Sequence, residues 1–270
     1  MPPVPVIVDA TALTSVARGS GIGTYTRGLL EALGRREDLS VTALATTSAP
    51  IPPGISPRIV RRMARRPRAE VLEHAVLISA DVALARRGGG GVFHNLGFHA
   101  PWGVPTPWVQ SLHDVIPLVL DDPDVQMLRA RWKRFGPRYQ GASAVIAVSE
   151  FSAQEGVKVL GLDPARVHVV HHGVNPACHP GTDWPADPPY LLVVGEYARR
   201  KGFDRAIAVI DALADAGYPH TLKVAGTVHD WGEDELHGLA ASARHPDRVA
   251  ILGHVNDLVA LYQGAHAFLS

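Results

Sequence analysis

Short apolar, β-branched runs alternate with longer segments of helical periodicity along almost the whole chain. The runs predicted as strands are Val4–Ala10, Ser40–Thr46, Gly91–Leu96, Trp108–His113, Ala144–Ser149 and Val167–His172. A second set comprises Tyr190–Gly195, Thr221–Gly226, Val249–Gly253 and Ala265–Leu269. Between them the spacing predicts helices over Ile22–Arg35, Asp124–Gln140, Glu150–Leu160 and Phe203–Ala216. Strands that are apolar throughout and separated by helices belong to parallel sheets covered on both faces. The predicted class is α/β.

One stretch interrupts the alternation. Val174–Pro189 contains Pro176, Pro180, Pro185, Pro188 and Pro189. Proline cannot donate to a sheet ladder and it stiffens a connection. The pattern therefore predicts two doubly wound, Rossmann-like domains, residues 1–175 and 190–270, joined by a linker over 176–189. The second domain would hold few strands and would stop at Ser270 directly after one of them. A parallel strand left uncovered is an unusual finish, so the expectation is an incomplete second domain.

Composition narrows the function classes. Of 270 residues, 46% are hydrophobic and 19% charged, as in a compact globular protein. Lys+Arg and Asp+Glu both number 26, so no global charge draws the protein to nucleic acid. Cys178 is the single cysteine, which excludes an intrachain disulfide and a thiolate metal site and suits a cytoplasmic setting. The N-terminus shows no secretory pattern, and no apolar run reaches the roughly 18 residues of a membrane span.

Chemistry gathers where predicted strands end. After the first strand, Gly19, Gly21 and Gly23 open an amphipathic helix. Backbone amides at such an entrance, aided by the helix dipole, suit phosphate. A dinucleotide fingerprint fits poorly, because Thr24 stands where its third glycine belongs and the second strand ends Ala45-Thr46-Thr47, without an acid. His113 and Asp114 follow the strand of TPWVQSLHD, at the carboxyl edge where open α/β sheets bind ligands. Histidine can exchange a proton near neutral pH, and an adjacent acid can orient it; Asp114 fits a helix cap equally well. Ser149 reads as the cap of the helix that follows it. Arg200 and Lys201 follow the strand ending at Gly195, where they could neutralise a diphosphate or simply meet solvent. His94, His99, His171 and His172 lack ligand spacing, and no metal is expected.

Taken together, GIGTYTRGLLEAL, SLHDVIP, ASAVIAVSEFSAQEGVKVLGLDPARVHVVHHGVN, YLLVVGEYARRKGFDRAI and AILGHVNDLVALYQGAHAFLS resemble family 4 of the retaining, nucleotide-sugar-dependent glycosyltransferases. The five segments occur in the family's order. The resemblance implies the GT-B fold of two Rossmann-like domains, the first on the acceptor side and the second binding donor. It implies that Gly21 and Gly23 approach the donor diphosphate, that His113 and Asp114 lie at the transferred sugar, and that Arg200 and Lys201 hold the leaving diphosphate. It also implies transfer of a hexose with retention, to a saccharide or lipid-linked acceptor, with a nucleotide sugar as substrate and neither metal nor cofactor. Asn175 stands where the family often has aspartate. The family's E-x7-E donor motif would begin beyond Ser270, so this chain alone is expected to be inactive. The rival readings are a nucleotide-sugar epimerase and a non-catalytic remnant that binds an acceptor or partner.

Arg58, Arg61, Arg62, Arg65, Arg66 and Arg68 crowd ahead of the more apolar AEVLEHAVLISADVALA. Such a basic helix beside apolar surface suits an anionic lipid face or a lipid-diphosphate acceptor. Arg61, Arg62 and Arg65 are therefore candidates for acceptor or peripheral membrane contact at the inner face of the membrane.

Overall fold

The computed structural model describes residues 2–45, 50–59, 91–98, 100, 107–179, 186–226 and 230–270. The chain divides into two compact units, Met1–His172 and Gly173–Ser270.

In the first unit the strands are β1 (Val4–Asp9), β2 (Leu39–Ala45), β3 (Ile55–Ile59), β4 (Val92–Asn95), β5 (Trp108–Leu112), β6 (Ala144–Ala147) and β7 (Val167–Val169). They form one sheet in the order β3-β2-β1-β4-β5-β6-β7, and every pairing is parallel. The order reverses direction between β1 and β4, the crevice at which doubly wound sheets bind ligands. Helices α1 (Gly21–Gly34), α2 (Ile116–Val119), α3 (Pro123–Phe135) and α4 (Glu150–Leu160) follow β1, β5 and β6. Ile7, Phe93, Trp108, Leu112, Val145, Trp132, Tyr139 and Leu160 meet in one buried cluster, and Val8, Leu13, Leu30, Val41 and Leu96 in another.

Two features depart from the predicted pattern. Strand β3 was not anticipated, because Ser56, Pro57 and Arg58 break its apolar run. Pro57 is tolerated because β3 lies at the edge of the described sheet, paired only with β2. The helix predicted over Asp124–Gln140 stops as an α-helix at Phe135 and tightens into a 3₁₀ turn over Gly136–Gly141. Pro137 removes a helical donor, and Gly136 sits where a Cβ would lie 2.7 Å from Leu160 Cδ2. The same close approach seats the end of α4 against this turn.

The second unit repeats the plan at smaller size. Strands β8 (Tyr190–Val194), β9 (Thr221–Ala225), β10 (Val249–Gly253) and β11 (Ala267–Phe268) run parallel in the order β10-β9-β8-β11, again reversing beside the first strand of the unit. Helices α5 (Phe203–Asp215), α6 (Asp230–Ala241) and α7 (Leu258–Gly264) complete it. Its core joins Leu191, Val193, Phe203, Ile207, Ile210, Leu222, Val224 and Leu236. No helix among the described residues is long and apolar enough to cross a membrane.

Candidate functional site

Polar side chains concentrate at the carboxyl edge of the first sheet. Asp9 ends β1 in a buried position, and its Oδ1 accepts from Thr11 N at 3.0 Å and from Thr11 Oγ1 at 2.6 Å. The amide of Asn95, on β4, donates to Gln110 Oε1 at 2.6 Å, while Gln110 Nε2 donates to the carbonyls of Gly97 and Ser111 at 2.9 and 2.7 Å. These bonds tie β4, β5 and the turn after β4 into one rigid edge. Most buried polar groups in proteins are paired in this way.

Two histidines lie within this edge. His94 Nε2 and the hydroxyl of Tyr25, reaching in from α1, each lie 3.0 Å from Ser111 Oγ. Burial, then the neighbouring His113, lowers the pKa of His94 to about 4 against the pull of Asp9, so its ring is neutral at physiological pH. His113 follows β5, and its Nε2 lies 2.8 Å from the Leu96 carbonyl. A carbonyl only accepts, so that nitrogen carries the proton and Nδ1 presents a lone pair. Burial dominates the lowering of the His113 pKa, with His172 adding to it and the Leu96 bond and Asp114 opposing it. Tyr25 meets the His113 ring edge-on at 4.9 Å and lies 5.0 Å from the His172 ring, while Phe98 is 5.9 Å from His113.

Asp114 Oδ1 accepts from the Ile116 amide at 3.0 Å, which starts α2. Its charge also helps hold the buried Tyr139 phenol in its neutral form, second to burial itself. Ser149 caps α4, accepting from Ser152 N at 3.1 Å, and Ser152 Oγ donates to the His113 carbonyl at 3.0 Å. The cap of one helix thus fixes the backbone of His113.

The glycine turn opens α1 behind Ser20, whose side chain makes no capping bond. The first helical bond runs from Thr24 N to Ser20 O, so the amides of Gly21, Ile22 and Gly23 have no acceptor within the helix. A Cβ placed on Gly21 would meet nothing within 4 Å, so the space beside Gly21 is open, while Gly23 is buried. No acid occupies the first turn.

In the second unit, Arg199–Lys201 forms a 3₁₀ turn after β8. Buried Tyr197 and Phe203, 5.2 Å apart, pin it from below, and Arg199 Nε bonds Glu235 Oε1 of α6 at 3.0 Å. Gly202, with φ of 69°, then turns the chain into α5. Arg200 and Lys201 are left exposed, with no ion-pair partner among the described residues. The adjoining strand ends are backbone alone. Gly195 donates to the Ala225 carbonyl at 3.0 Å and Gly226 to the Gly253 carbonyl at 2.8 Å. Gly226 has φ of 150°, and a Cβ there would collide with the Gly195 carbonyl. Two cations beside a side-chain-free sheet edge form a surface open to an anionic ligand.

Arg61, Arg62 and Arg65 lie outside the described residues. Asp9, Tyr25, His94 and Ser111 entered no sequence-based site assignment. The signal for three of them was a polar residue in the last two positions of an apolar strand, in VPVIVD, VFHN and WVQSL.

Two parallel sheets that share one strand-order plan are the architecture of GT-B glycosyltransferases. Solved structures agree at the level of fold. WaaG, a glycosyltransferase involved in lipopolysaccharide biosynthesis, superposes with a TM-score of 0.68 at 13% identity, over 98% of this chain and 74% of its own. Anabaena Alr3699/HepE, solved in complex with UDP and glucose, gives 0.65 at 17% identity, over 98% and 73%. A glycosyltransferase from Rickettsia africae ESF-5 gives 0.63 at 14% identity, over 99% and 73%. No curated protein sequence matches the chain. Residues 19–177 match Glycosyltransferase Family 4, and residues 176–270 match Glycosyl transferases group 1. The chain belongs to Glycosyltransferase Family 4.

Proposed function

We propose that this chain serves a retaining glycosyltransferase that moves a hexose from a nucleoside diphosphate sugar to a saccharide or lipid-linked acceptor. The observation that carries the reading is the exposed Arg200–Lys201 turn beside the glycine-lined ends of β8, β9 and β10. The UDP and glucose named for HepE support the donor class.

In this reaction the bond from the sugar's anomeric carbon to the diphosphate breaks. The acceptor hydroxyl oxygen bonds that carbon on the same face, and its proton leaves with the nucleoside diphosphate. Arg200, as a planar fork, and Lys201, as a point charge, offset the negative charge that grows on the leaving group. The Gly21 and Gly23 amides add dipoles of the same sense. Neutral His113 accepts a sugar hydroxyl at Nδ1, and Asp114 lends negative charge beside it. Catalysis is then positional and electrostatic, and the reading requires no metal or cofactor. Acceptor contact, and peripheral contact with a membrane from the cytoplasmic side, are assigned to Arg61, Arg62 and Arg65.

Calorimetric titration of the chain with UDP, GDP and ADP tests the reading. At least one should bind, and the R200A/K201A double variant should lose about 100-fold, since each charge-assisted bond contributes roughly 1.5 kcal/mol or more. No binding by any of the three, or equal binding by the variant, refutes it. In a chain competent for transfer, the anomeric configuration of the product reports retention directly.

A further inference from the structure

We propose that Tyr25 and Ser111 are positioning residues that couple the glycine turn of α1 to His113, so that the phosphate-facing amides and the sugar-facing imidazole move as one body. The proposal rests on the roles given above to Gly21, Gly23 and His113, and names the link between them.

Gly21 and Tyr25 are four residues apart on α1 and therefore share a helix face. From that face Tyr25 reaches the sheet, and its hydroxyl lies 3.0 Å from Ser111 Oγ across a sequence separation of 86. Ser111 is fully enclosed on β5, two residues before His113, and its other partner is His94 Nε2 at 3.0 Å. The single hydroxyl thus ties α1 to β4 and β5 together. The Tyr25 ring then closes one side of His113 at 4.9 Å and 87°, opposite in function to the Leu96 carbonyl that holds its Nε2 at 2.8 Å. An imidazole held at one nitrogen can still pivot about that bond. The tyrosine edge and Phe98, at 5.9 Å, restrict the pivot.

The same contact limits water at the ring. The titratable groups that act on His113 are His94, His172 and Asp114, with Tyr25 itself neutral because burial raises its phenol. Tyr25 also lies against the His172 ring and shares the Ser111 hydroxyl with His94, so the His113 titration is read beside those of both rings.

The test uses the full chain and the variants Y25A, Y25F and S111A. The imidazole resonance of His113, assigned by its absence in H113Q, is titrated by NMR. UDP affinity is measured beside it. Y25A should raise the His113 pKa toward the ordinary imidazole value, because the ring gains water. Y25F and S111A keep the ring but cut the tether, so they should shift His113 in the same direction by less and weaken UDP roughly fivefold. A purely structural role would lower thermal stability and leave the titration alone. If His113 titrates in Y25F and S111A as in the parent, the coupling is refuted, even where Y25A fails to fold. If the parent binds none of UDP, GDP and ADP, the proposed donor class fails, while the His113 titration still decides the link.

Discussion

Replacing His94 with glutamine tests how the buried edge of the first sheet responds to acid. His94 is 8% exposed, and burial lowers its pKa from 6.5 to about 4. Its folded value is depressed, so the unfolded chain binds the proton more readily. Stability is therefore complete above about pH 6.5 and falls as the pH drops toward 4. At pH 5 the unfolded imidazole is almost wholly protonated and the folded one mostly neutral, and the difference costs the first unit about 2 kcal/mol. Glutamine places an amide nitrogen near the position of Nε2, keeps a bond to Ser111, and does not titrate. Amide hydrogen exchange of β1, β4 and β5 in mild urea, at pH 7.5 and at pH 5, reads the stability of this unit apart from the other. The parent should lose about 2 kcal/mol more than H94Q between the two conditions. The His113 pKa is lowered in the same sense and contributes to the loss in both proteins. Parallel losses in parent and H94Q would show that His94 is not held neutral by burial, and the electrostatic account of this edge would be wrong.

Further outcomes follow from single contacts. S149A removes the cap of α4 and should cost about 1 kcal/mol in urea unfolding of the first unit; S149T should restore most of it. G226A forces a Cβ against the Gly195 carbonyl at a φ that favours glycine, so it should unfold the second unit or lower its melting temperature by more than 10 °C or so. A melting curve within a few degrees of the parent would contradict the described strand ends.

The alternation of apolar runs located ten of the described strands because β-branched and apolar residues fill a sheet buried on both faces. It could not show β3, whose Pro57 and polar neighbours are admissible only at an edge, and an edge is a property of the assembled sheet. Helix α7 is short and gains its start from Asp257, which accepts from Ala260 N at 3.1 Å, a local signal too brief to read as periodicity. The site was read unevenly for the same reason. Glycines and basic residues at strand ends are local marks, and so are His113 and Asp114. The Tyr25–Ser111–His94 chain joins positions 86 and 17 residues apart. Only the crossing of α1 over the sheet brings them together.

Pro57 has a further consequence for the fate of the protein in a crowded solution. A parallel strand whose outer side offers a regular row of donors can recruit strands from neighbouring molecules. Pro57 pairs with Ala43 in the register of β2 and β3, and proline is admitted to a strand where the N–H it lacks would face away from the ladder. Ser56 and Arg58 flank the gap with polar side chains. Among the described residues β3 is the edge of the sheet, and the residue that hid it from the hydrophobic pattern is also the one that denies an added strand a regular row of donors there.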